Sequence, residues 1–403
     1  MKISVLLKNL IKYNPLLKNT KTMIKKNIAI LGSTGSVGKN ALKVVDNHLD
    51  KLNVKVLSAN KNIKVLSEQI EKYKPEMVAV FDAEKAKILK IKFPKLKIYS
   101  GIEGLEIAAS YEDVEIVLLA TSTSIGIYPA IAAINAKKTL ALANKEVMLS
   151  CGELIMKLAK EKNVKILPVD SEHCAIFQCF EAENKESIKR LVLTASGGPF
   201  LNHSNDQLEK VTINDALKHP TYTMGQMIAV NSSTLMNKGH EIIEAHYLFG
   251  IEFEKIDVIV HPQSLIHSFV EYIDGSMLCQ ISEPNMQVPI QYSFFYPQRV
   301  VNKNIEKFDF LKNSKFEFFK PDYEKFRCLF LAYEALKIKK SMPCFMNKAN
   351  EVLVERFLMN KISWKNISEK LEKLMSSHHP CNIVSLEDVR NVEELAITKA
   401  KEV

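Results

Sequence analysis

The segment PVDSEH, residues 168–173, places two carboxylates on either side of one serine, directly after the apolar run VKIL. In an extended strand, residues two apart project to the same face, so Asp170 and Glu172 would be directed at one point in space. Such a pair is suited to binding a divalent cation, although a solvated strand end can show the same pattern. Asp170 and Glu172 are therefore candidate metal ligands.

A third carboxylate is available further along the chain. A helix beginning near Ser233 would place Asn237, Glu241 and Glu244 on one side, because they are spaced i, i+4 and i+7. Three carboxylates with no sulfur and no necessary histidine form a hard oxygen site, which suits Mg²⁺ or Mn²⁺ better than zinc. The segment HEIIE, residues 240–244, resembles the zinc-protease motif H-E-x-x-H only superficially, since its last residue is a glutamate.

Hydroxyl, amide and ammonium groups near these acids favour a phosphorylated substrate. Ser196, Ser232, Asn237 and Lys238 could supply the donors that a phosphate needs, with Lys238 acting as a point charge. Each of them also has an ordinary structural explanation, because serine before Gly-Gly suits a turn and a helical lysine is usually solvated. Their combination with the acids predicts a phosphate site beside a metal.

The segment GSTGSVG, residues 32–38, follows an apolar run and precedes a helical pattern. Its glycines allow backbone amides to approach a pyrophosphate at the N-terminus of the helix, which predicts a dinucleotide site. The second strand ends in Asn60, Lys61 and Asn62 with no acid, and this favours NADP over NAD. The alternative is that Lys61 is only a solvent-exposed lysine in a turn.

Strand-like runs alternate with helical patterns from residue 26 to residue 169, at 54–59, 77–81, 114–121, 139–143 and 164–169. This alternation predicts a mainly parallel sheet with helices on both faces. From about residue 185 the runs IKRLVLTAS, IDVIVHPQSLIHSFVEYIDGSMLCQIS and VPIQYSFF predict strands of an open mixed or antiparallel sheet.

The predicted fold class is α/β, with a Rossmann-like NADP-binding domain, a central α/β catalytic domain carrying an open, mostly antiparallel sheet, and a small α-helical C-terminal domain. The exposed central sheet makes a homodimer the expected assembly. The predicted division is an extension at 1–25, the NADP-binding domain at 26–150, the catalytic and dimerisation domain at 151–299, a linker at 300–325 and the helical domain at 326–403.

Composition excludes several classes of protein. The net charge of +9 is concentrated near the start, because residues 1–26 hold seven lysines and no acid, so no basic surface for nucleic acid is expected on the remainder. No apolar run is long enough for a transmembrane helix. The seven cysteines include no C-x-x-C pair, which predicts free thiols and a cytoplasmic protein. Residues 1–25 could instead be a transit peptide for a plastid-type organelle.

The segments GSTGSVG, LANKE, PVDSEH, ASGGPF, MNKGHEIIEA and HPQSLIHSFVEYIDGS occur in an order and spacing that resembles the 1-deoxy-D-xylulose 5-phosphate reductoisomerase family, over roughly residues 26–400. The resemblance implies an enzyme of the non-mevalonate isoprenoid pathway that uses NADPH and Mg²⁺ or Mn²⁺. Its sugar phosphate substrate would rearrange, by cleavage and re-formation of a C–C bond or by a 1,2-shift, and then be reduced to 2-C-methyl-D-erythritol 4-phosphate.

The resemblance also implies residue roles. The metal ligands would be Asp170, Glu172 and Glu241, which with Lys145 form the implied catalytic set. The substrate contacts would be Lys145, Ser171, Glu172, Ser196, His219, Ser232, Asn237, Lys238 and Glu241. The cofactor contacts would be Thr34, Gly35, Ser36, Val37, Asn60, Lys61, Asn62, Asn144, Glu146 and Gly225.

The chain departs from the family pattern at a few positions. Where relatives usually read H-P-N-W in a mobile flap, this chain has a tyrosine, Tyr222, in place of the tryptophan, and its only tryptophan is Trp364. The usual D-S-A triplet is replaced by Asn231, Ser232 and Ser233, and Met227 stands where a lysine is common. These changes affect flap packing and inhibitor affinity, whereas the metal and phosphate positions are intact.

Two other functions are compatible with parts of the pattern. Another NADP-dependent oxidoreductase, acting on a small phosphorylated or semialdehyde substrate, would use a catalytic cysteine and need no metal. A non-enzymatic NADP-binding regulator would explain the glycine-rich turn but not the three acids.

Overall fold

The first strand of the fold is buried on both faces. The structure, a computed structural model, describes residues 25–218 and 224–403, and its first strand, β1, spans Lys26–Leu31. Ile28 and Ile30 pack into one apolar core, whereas Ala29 and Leu31 pack into another on the opposite face. Because successive strand residues alternate faces, helices must cover both sides of this sheet.

The strand lies in a seven-stranded parallel sheet with the order β4-β3-β2-β1-β5-β6-β7. Its strands are β1, β2 (Leu52–Ala59), β3 (Met77–Val80), β4 (Lys97–Ser100), β5 (Ile116–Leu119), β6 (Thr139–Leu142) and β7 (Ile166–Pro168). The strand order reverses between β1 and β5, which is where open α/β sheets bind their ligands. The predicted Rossmann-like domain is confirmed.

Helices follow these strands in sequence: α1 (Ser36–Asp46), α2 (Ile63–Tyr73), α3 (Ala83–Lys92), α4 (Gly101–Ala109), α5 (Ile127–Asn135), α6 (Glu146–Lys162) and α7 (Ser171–Cys179). Two of these helices are capped at the N-terminus by a local side chain. Asp82 accepts a hydrogen bond from the backbone N–H of Lys85, and Asn62 accepts one from that of Val65. The parallel sheet continues to β7, so it extends beyond residue 150 of the predicted boundary.

A second, four-stranded sheet follows, with the order β11-β10-β8-β9. Its strands are β8 (Ile188–Ala195), β9 (Ile256–Val260), β10 (Ile266–Tyr272) and β11 (Met277–Ile281). Strand β10 pairs antiparallel with β8 and β11, and only the β8–β9 pair is parallel, so the sheet is mostly antiparallel as predicted. The helices of this part are α8 (Asn205–Leu208), α9 (Ile213–Leu217), α10 (Gln226–Ser233), α11 (Met236–Phe249) and α12 (Gln287–Phe295).

The chain closes with a helical unit. After a largely irregular segment, in which Phe319 forms a single bridge to Val260, come α13 (Arg327–Ile338), α14 (Met342–Leu358), α15 (Trp364–Ser377) and α16 (Leu386–Glu402). Capping boxes at Ser363 and Ser385 start the last two helices. The predicted helical domain is confirmed.

Several predicted elements were wrong or missing. The run VPIQYSFF forms helix α12 rather than a strand, and its buried residues Ile290, Phe294 and Phe295 pack into the core beside α1. A short, wholly apolar run carries no periodicity that separates a buried helix from a strand. Strand β4 was not predicted, because it is short and polar, with mostly exposed side chains at the edge of the sheet.

Within the described residues, no helix combines the length and the apolar character that crossing a lipid bilayer requires.

Candidate active site

A cleft of about 270 Å³ lies where the glycine-rich turn meets the acidic segments. The turns that follow β1, β6 and β7 all leave the same edge of the parallel sheet, since carboxyl ends of parallel strands share an edge. The predicted site residues that line this cleft are Ser36, Val37, Lys145, Asp170, Ser171, Glu172, Ser196, Gly225, Ser232, Asn237, Lys238 and Glu241. The structure therefore brings the predicted metal, substrate and part of the predicted cofactor residues together.

The three acids converge from two helices. Asp170, Glu172 and Glu241 each offer a carboxylate oxygen, and these oxygens lie within 4.8 Å of one another. The reason given for the first pair was wrong, because the strand ends at Pro168, Asp170 precedes α7 and Glu172 lies in its first turn. Both still face the cleft because they lie at the N-terminus of one helix.

Glu241 reaches the cluster from helix α11. This helix begins at Met236, three residues after the predicted start, because α10 ends at Ser233 and Leu235 adopts a left-handed conformation with φ of 57°. Glu241 is 1% exposed and accepts a hydrogen bond of 2.7 Å from the side-chain amide of Asn237, one turn earlier. The predicted spacing of Asn237 and Glu241 on one helix face is thus observed.

Two lysines neutralise most of this negative charge. Lys145 pairs with Asp170 and lies 3.5 Å from Glu241, whereas Lys238 pairs with Glu241 and lies 2.9 Å from Glu172. Burial alone would lower the pKa of both lysines, but the facing carboxylates outweigh it and raise the pKa of each above its usual value. Both side chains are therefore held as cations inside the cleft.

The pKa values of the three carboxylates are shifted in different directions. Burial, followed by repulsion from Glu172, raises the pKa of Glu241 to about 7. Burial would also raise the pKa of Asp170, but Lys145 and His173 outweigh it and hold that pKa well below its usual range. Glu172 behaves like Asp170, because Lys238 outweighs its burial and lowers its pKa. The cluster thus combines two ionised carboxylates with one that binds a proton near neutral pH.

A buried histidine supports the acids from behind. His173 is fully buried, and its Nε2 donates a hydrogen bond of 2.8 Å to the backbone carbonyl of Glu241. Its Nδ1 lies 3.4 Å from Asp170 and 3.5 Å from the buried Glu244. Burial opposes the charged form, but Glu244 and Asp170 outweigh it and raise the pKa of His173 to about 9. An imidazolium therefore connects Asp170 to the helix that carries Glu241.

The donor set fits a hard divalent cation. Three carboxylates within 4.8 Å offer only oxygen atoms, as Mg²⁺ and Mn²⁺ prefer, and the donors belong to two rigid helices. His173 supports two of them, as residues behind the ligands of metal sites commonly do. Within the described residues a second group, Asp170, His173 and Glu244, also has metal-ligand spacing. This group consists of Asp170 and the two buried residues that support it, as described above.

The predicted phosphate donors form one wall of the cleft. Ser196 follows strand β8, Ser232 lies in the last turn of α10, and Asn237 and Lys238 lie in the first turn of α11. Lys238 is 4% exposed and its ammonium is already paired with Glu172 and Glu241. It is therefore a solvent-shielded cation located between the acids and the hydroxyls.

The glycine-rich turn lines the same cleft. Ser36 and Val37 line the cleft at the N-terminus of α1, where unpaired backbone N–H groups favour an anion. A side chain at Gly38 would place its Cβ 2.3 Å from the carbonyl oxygen of Gly32, so only glycine lets the helix approach the strand this closely. Thr34 and Gly35 belong to the same turn but do not line the cleft itself.

Other predicted cofactor residues lie beyond the cleft. Asn60 and Lys61 are exposed after β2, and Asn62 caps helix α2. Asn144 is buried, and its amide donates to the carbonyls of Thr121 and Thr123 while its oxygen accepts from Val147, so it braces the turn after β5.

Glu146 begins helix α6 behind the cleft, and burial raises its pKa. The predicted substrate residue His219 and the flap residues Pro220, Thr221 and Tyr222 lie outside the described residues.

Two further polar residues of the cleft were not predicted. Ser264 and His267 also line it, and both lie in the segment HPQSLIHSFVEYIDGS, which was noted as a motif without a role for any residue. His267 is buried and its Nε2 lies 3.1 Å from the hydroxyl of Ser282. The signal available in the sequence was a polar residue, His267, near the start of a buried strand and facing inward.

Comparisons with known proteins agree with this architecture. Family models described as 1-deoxy-D-xylulose 5-phosphate reductoisomerase, its C-terminal domain, and DXP reductoisomerase C-terminal domain match residues 28–152, 166–249 and 281–398, respectively. The 1-deoxy-D-xylulose 5-phosphate reductoisomerase of Protochlamydia amoebophila is 52% identical over 93% of this chain and 97% of its own length. That of Thermoanaerobacter pseudethanolicus is 45% identical over 92% of this chain and 97% of its own length.

Solved structures give the same result. The Zymomonas mobilis 1-deoxy-D-xylulose 5-phosphate reductoisomerase in complex with NADPH matches with a TM-score of 0.89 and 38% identity, over 94% of this chain and 99% of that chain. A DOX-P reductoisomerase in complex with NADPH, fosmidomycin and magnesium matches with a TM-score of 0.88 and 34% identity, over 93% and 98% of the two chains. With a cleft that joins a dinucleotide turn to three clustered carboxylates, the chain belongs to the 1-deoxy-D-xylulose 5-phosphate reductoisomerase family.

Proposed function

We propose that this protein is an NADP-dependent oxidoreductase that rearranges and reduces 1-deoxy-D-xylulose 5-phosphate to 2-C-methyl-D-erythritol 4-phosphate, in the non-mevalonate pathway to isoprenoid precursors. The observation that carries this proposal is the shared cleft, which is lined both by the glycine-rich turn and by the three-carboxylate cluster. Membership of the reductoisomerase family supports the same reaction.

The two proposed cofactors have different chemical roles. When bound, the divalent cation polarises the substrate's ketone and hydroxyl oxygens, and NADPH supplies the hydride. Asp170, Glu172 and Glu241 are the proposed ligands for Mg²⁺ or Mn²⁺, on the basis of their converging oxygens. The start of α1, at Ser36 and Val37, is the proposed place of the NADPH pyrophosphate, with Lys61 available for the 2′-phosphate.

The remaining residues of the cleft orient the sugar phosphate. Ser196, Ser232, Asn237 and Lys238 are proposed to hold its phosphate, because their donors are located along one wall. Lys145, with its ammonium between Asp170 and Glu241, is proposed to lie beside the reacting carbons, and Ser171 and Glu172 beside the hydroxyls. His219, which lies outside the described residues, is proposed as a further substrate contact on the basis of the family resemblance.

An NADPH oxidation assay with 1-deoxy-D-xylulose 5-phosphate tests the proposal directly. We expect turnover that requires Mg²⁺ or Mn²⁺ and that stops on chelation. The alternative, an NADP-dependent semialdehyde dehydrogenase, would lose activity on thiol alkylation and not on chelation. No cysteine is among the residues that line the cleft within the described part of the chain, which argues against that alternative. Absence of metal-dependent turnover would instead support a non-enzymatic NADP-binding regulator.

The proposed assembly is a homodimer that pairs through the central sheet. Strand β11 lies at the edge of that sheet, and Met277 and Leu278 on it and Ile273 just before it are 44%, 47% and 70% exposed. An exposed edge strand with apolar side chains is a template for pairing with another chain. Leu278→Asp should give a monomer in sedimentation velocity, whereas Ile91→Asp, at an exposed position on α3, should not. Equal masses for both variants would refute this surface.

The proposed location is the cytoplasm. All seven cysteines lie in the described residues without a disulfide, and the relatives named above are bacterial enzymes. Fractionation of the native host, followed by immunodetection, would test this location.

A further inference from the structure

Two buried hydrogen bonds connect the C-terminal helices to α10, on the residues that flank Ser232. The indole N–H of Trp364, at the start of α15, donates to the Ser233 hydroxyl at 2.8 Å. The side-chain amide of Asn350, in α14, donates to the Asn231 side-chain oxygen at 2.9 Å. Ser232 between them lines the cleft. The C-terminal helices thus hold α10 on both sides of Ser232, the residue between these two contacts that lines the cleft.

Both hydrogen bonds are shielded from solvent. Asn231 and Ser233 each have a hydrogen-bond partner in the helical domain. Trp364 is 5% exposed and Asn350 is 1% exposed, so water does not compete for either bond. The two bonds therefore join α10 to side chains more than one hundred residues away along the chain.

The same tryptophan packs against the second segment of the phosphate wall. The ring of Trp364 meets the ring of Phe200 edge to face, with centroids 5.4 Å apart. Phe200 lies four residues after Ser196 in the segment that follows β8, and within this segment a side chain at Gly198, with φ of +67°, would place its Cβ 2.7 Å from the Ser232 carbonyl oxygen. Trp364 thus packs against both segments that carry the serines of this wall.

Helix α10 needs such external support. It has eight residues, which is too few to be stable by its own backbone hydrogen bonds. The Ser233 hydroxyl donates to the Val230 carbonyl at 2.7 Å, and its oxygen accepts the indole N–H, so this hydroxyl joins the end of α10 to Trp364. Any shift of Ser233 must move Ser232, because the two residues are adjacent in the last turn.

We propose that Trp364 and Asn350 are positioning residues of the substrate site, which hold Ser232 and the Ser196 turn at the spacing that a phosphate requires. The C-terminal helical domain is then a functional part of the phosphate wall in addition to stabilising the fold. This inference rests on the proposed function, in which that wall binds the phosphate of the sugar.

Trp364→Phe keeps an aromatic ring against Phe200 and removes the N–H donor. The expected result is a three- to tenfold higher KM for 1-deoxy-D-xylulose 5-phosphate, as loss of a hydrogen bond would give, with kcat and the KM for NADPH unchanged. The calorimetric dissociation constant for inorganic phosphate should rise by a similar factor. Ser233→Ala should give the same shifts, and the double variant should be no weaker than either single variant, because both remove one bond.

Leu371→Val is the matched control, since Leu371 is fully buried in the same helix and carries no hydrogen bond. It should lower the melting temperature and leave the KM and the phosphate affinity unchanged. Unchanged phosphate affinity in both Trp364→Phe and Ser233→Ala would overturn the inference. A wild-type protein that binds phosphate but does not turn over the sugar phosphate would refute the proposed function instead, and the calorimetric comparison would still decide the role of Trp364.

Discussion

Replacing Glu241 with glutamine tests the metal site most directly. The variant keeps the size of the side chain and one oxygen donor, but it removes a negative charge from a position that is 1% exposed. Above pH 7, where Glu241 is mostly ionised in the wild type, this leaves Asp170 and Glu172 facing Lys145 and Lys238, so the ionised carboxylates no longer outnumber the two ammonium groups beside them. The attraction for a divalent cation must therefore decrease.

The size of the effect follows from the charge that is lost. Two unit charges about 4 Å apart interact by about 4 kcal/mol at an effective dielectric constant of about 20. If about a third of this is offset by relaxation, the remaining loss of about 2.7 kcal/mol weakens metal binding about 100-fold. NADPH affinity should change less than about twofold, because the proposed pyrophosphate site at Ser36 and Val37 lies at the start of a different helix, α1.

Mn²⁺ binding by calorimetry, NADPH binding by fluorescence titration and turnover at limiting metal measure the three quantities separately. The matched control is Glu271→Gln, which also removes a buried carboxylate paired with two cations, Lys189 and Arg190, but on the central sheet away from the cleft. The control should keep its metal affinity. If Glu241→Gln binds Mn²⁺ as tightly as the wild type and turns over normally at limiting metal, the assignment of Glu241 as a ligand is refuted.

Three further results are expected. Because burial raises the pKa of Glu241 from 4.5 to about 7, Glu241 holds more protons in the metal-free folded protein than in the unfolded chain between these values, so its contribution to stability should fall by about 3 kcal/mol as pH rises from 4.5 to 7; urea denaturation of metal-free wild type and Glu241→Gln should show this as a stability difference that changes with pH, and parallel curves for the two proteins would contradict it. Lys61→Ala should raise the KM for NADPH about tenfold and leave that for NADH unchanged, since it removes a partner of the 2′-phosphate; equal effects on both cofactors would show that Lys61 does not discriminate. Gly38→Ala should lower the melting temperature and the NADPH affinity together, because its Cβ would lie 2.3 Å from the Gly32 carbonyl oxygen; an unchanged melting temperature would exclude the predicted clash.

The sequence predicted best where side-chain chemistry and strand order act together. Asp170 and Glu172 were singled out as a pair, and the structure places both with Glu241 in one cleft, although the strand argument used for them was wrong. The reason for the success is that a residue just after a parallel strand faces the binding edge of the sheet, whether it lies on the strand or starts the next helix. The roles of these residues remain predictions.

The failures have physical causes as well. VPIQYSFF became a helix because burial on all sides removes the periodicity that would identify it, and this burial depends on packing against α1 and the parallel sheet. His173 was not singled out, because its importance comes from Glu244 and from the backbone of Glu241, which lie about 70 residues away. The contact of Trp364 with Ser233 spans a still greater separation, and local sequence carries no signal for it.

Lys145 and Lys238 give the protein internal counterions for its acidic centre. With two ammonium groups against three carboxylates, the polypeptide can reach its native geometry during synthesis without waiting for a metal ion, since little repulsion is left for an ion to relieve. A bound ion would displace the ammonium groups of Lys145 and Lys238 from the carboxylates, because they contact the same oxygen donors. The protein can thus fold first and bind magnesium or manganese afterwards.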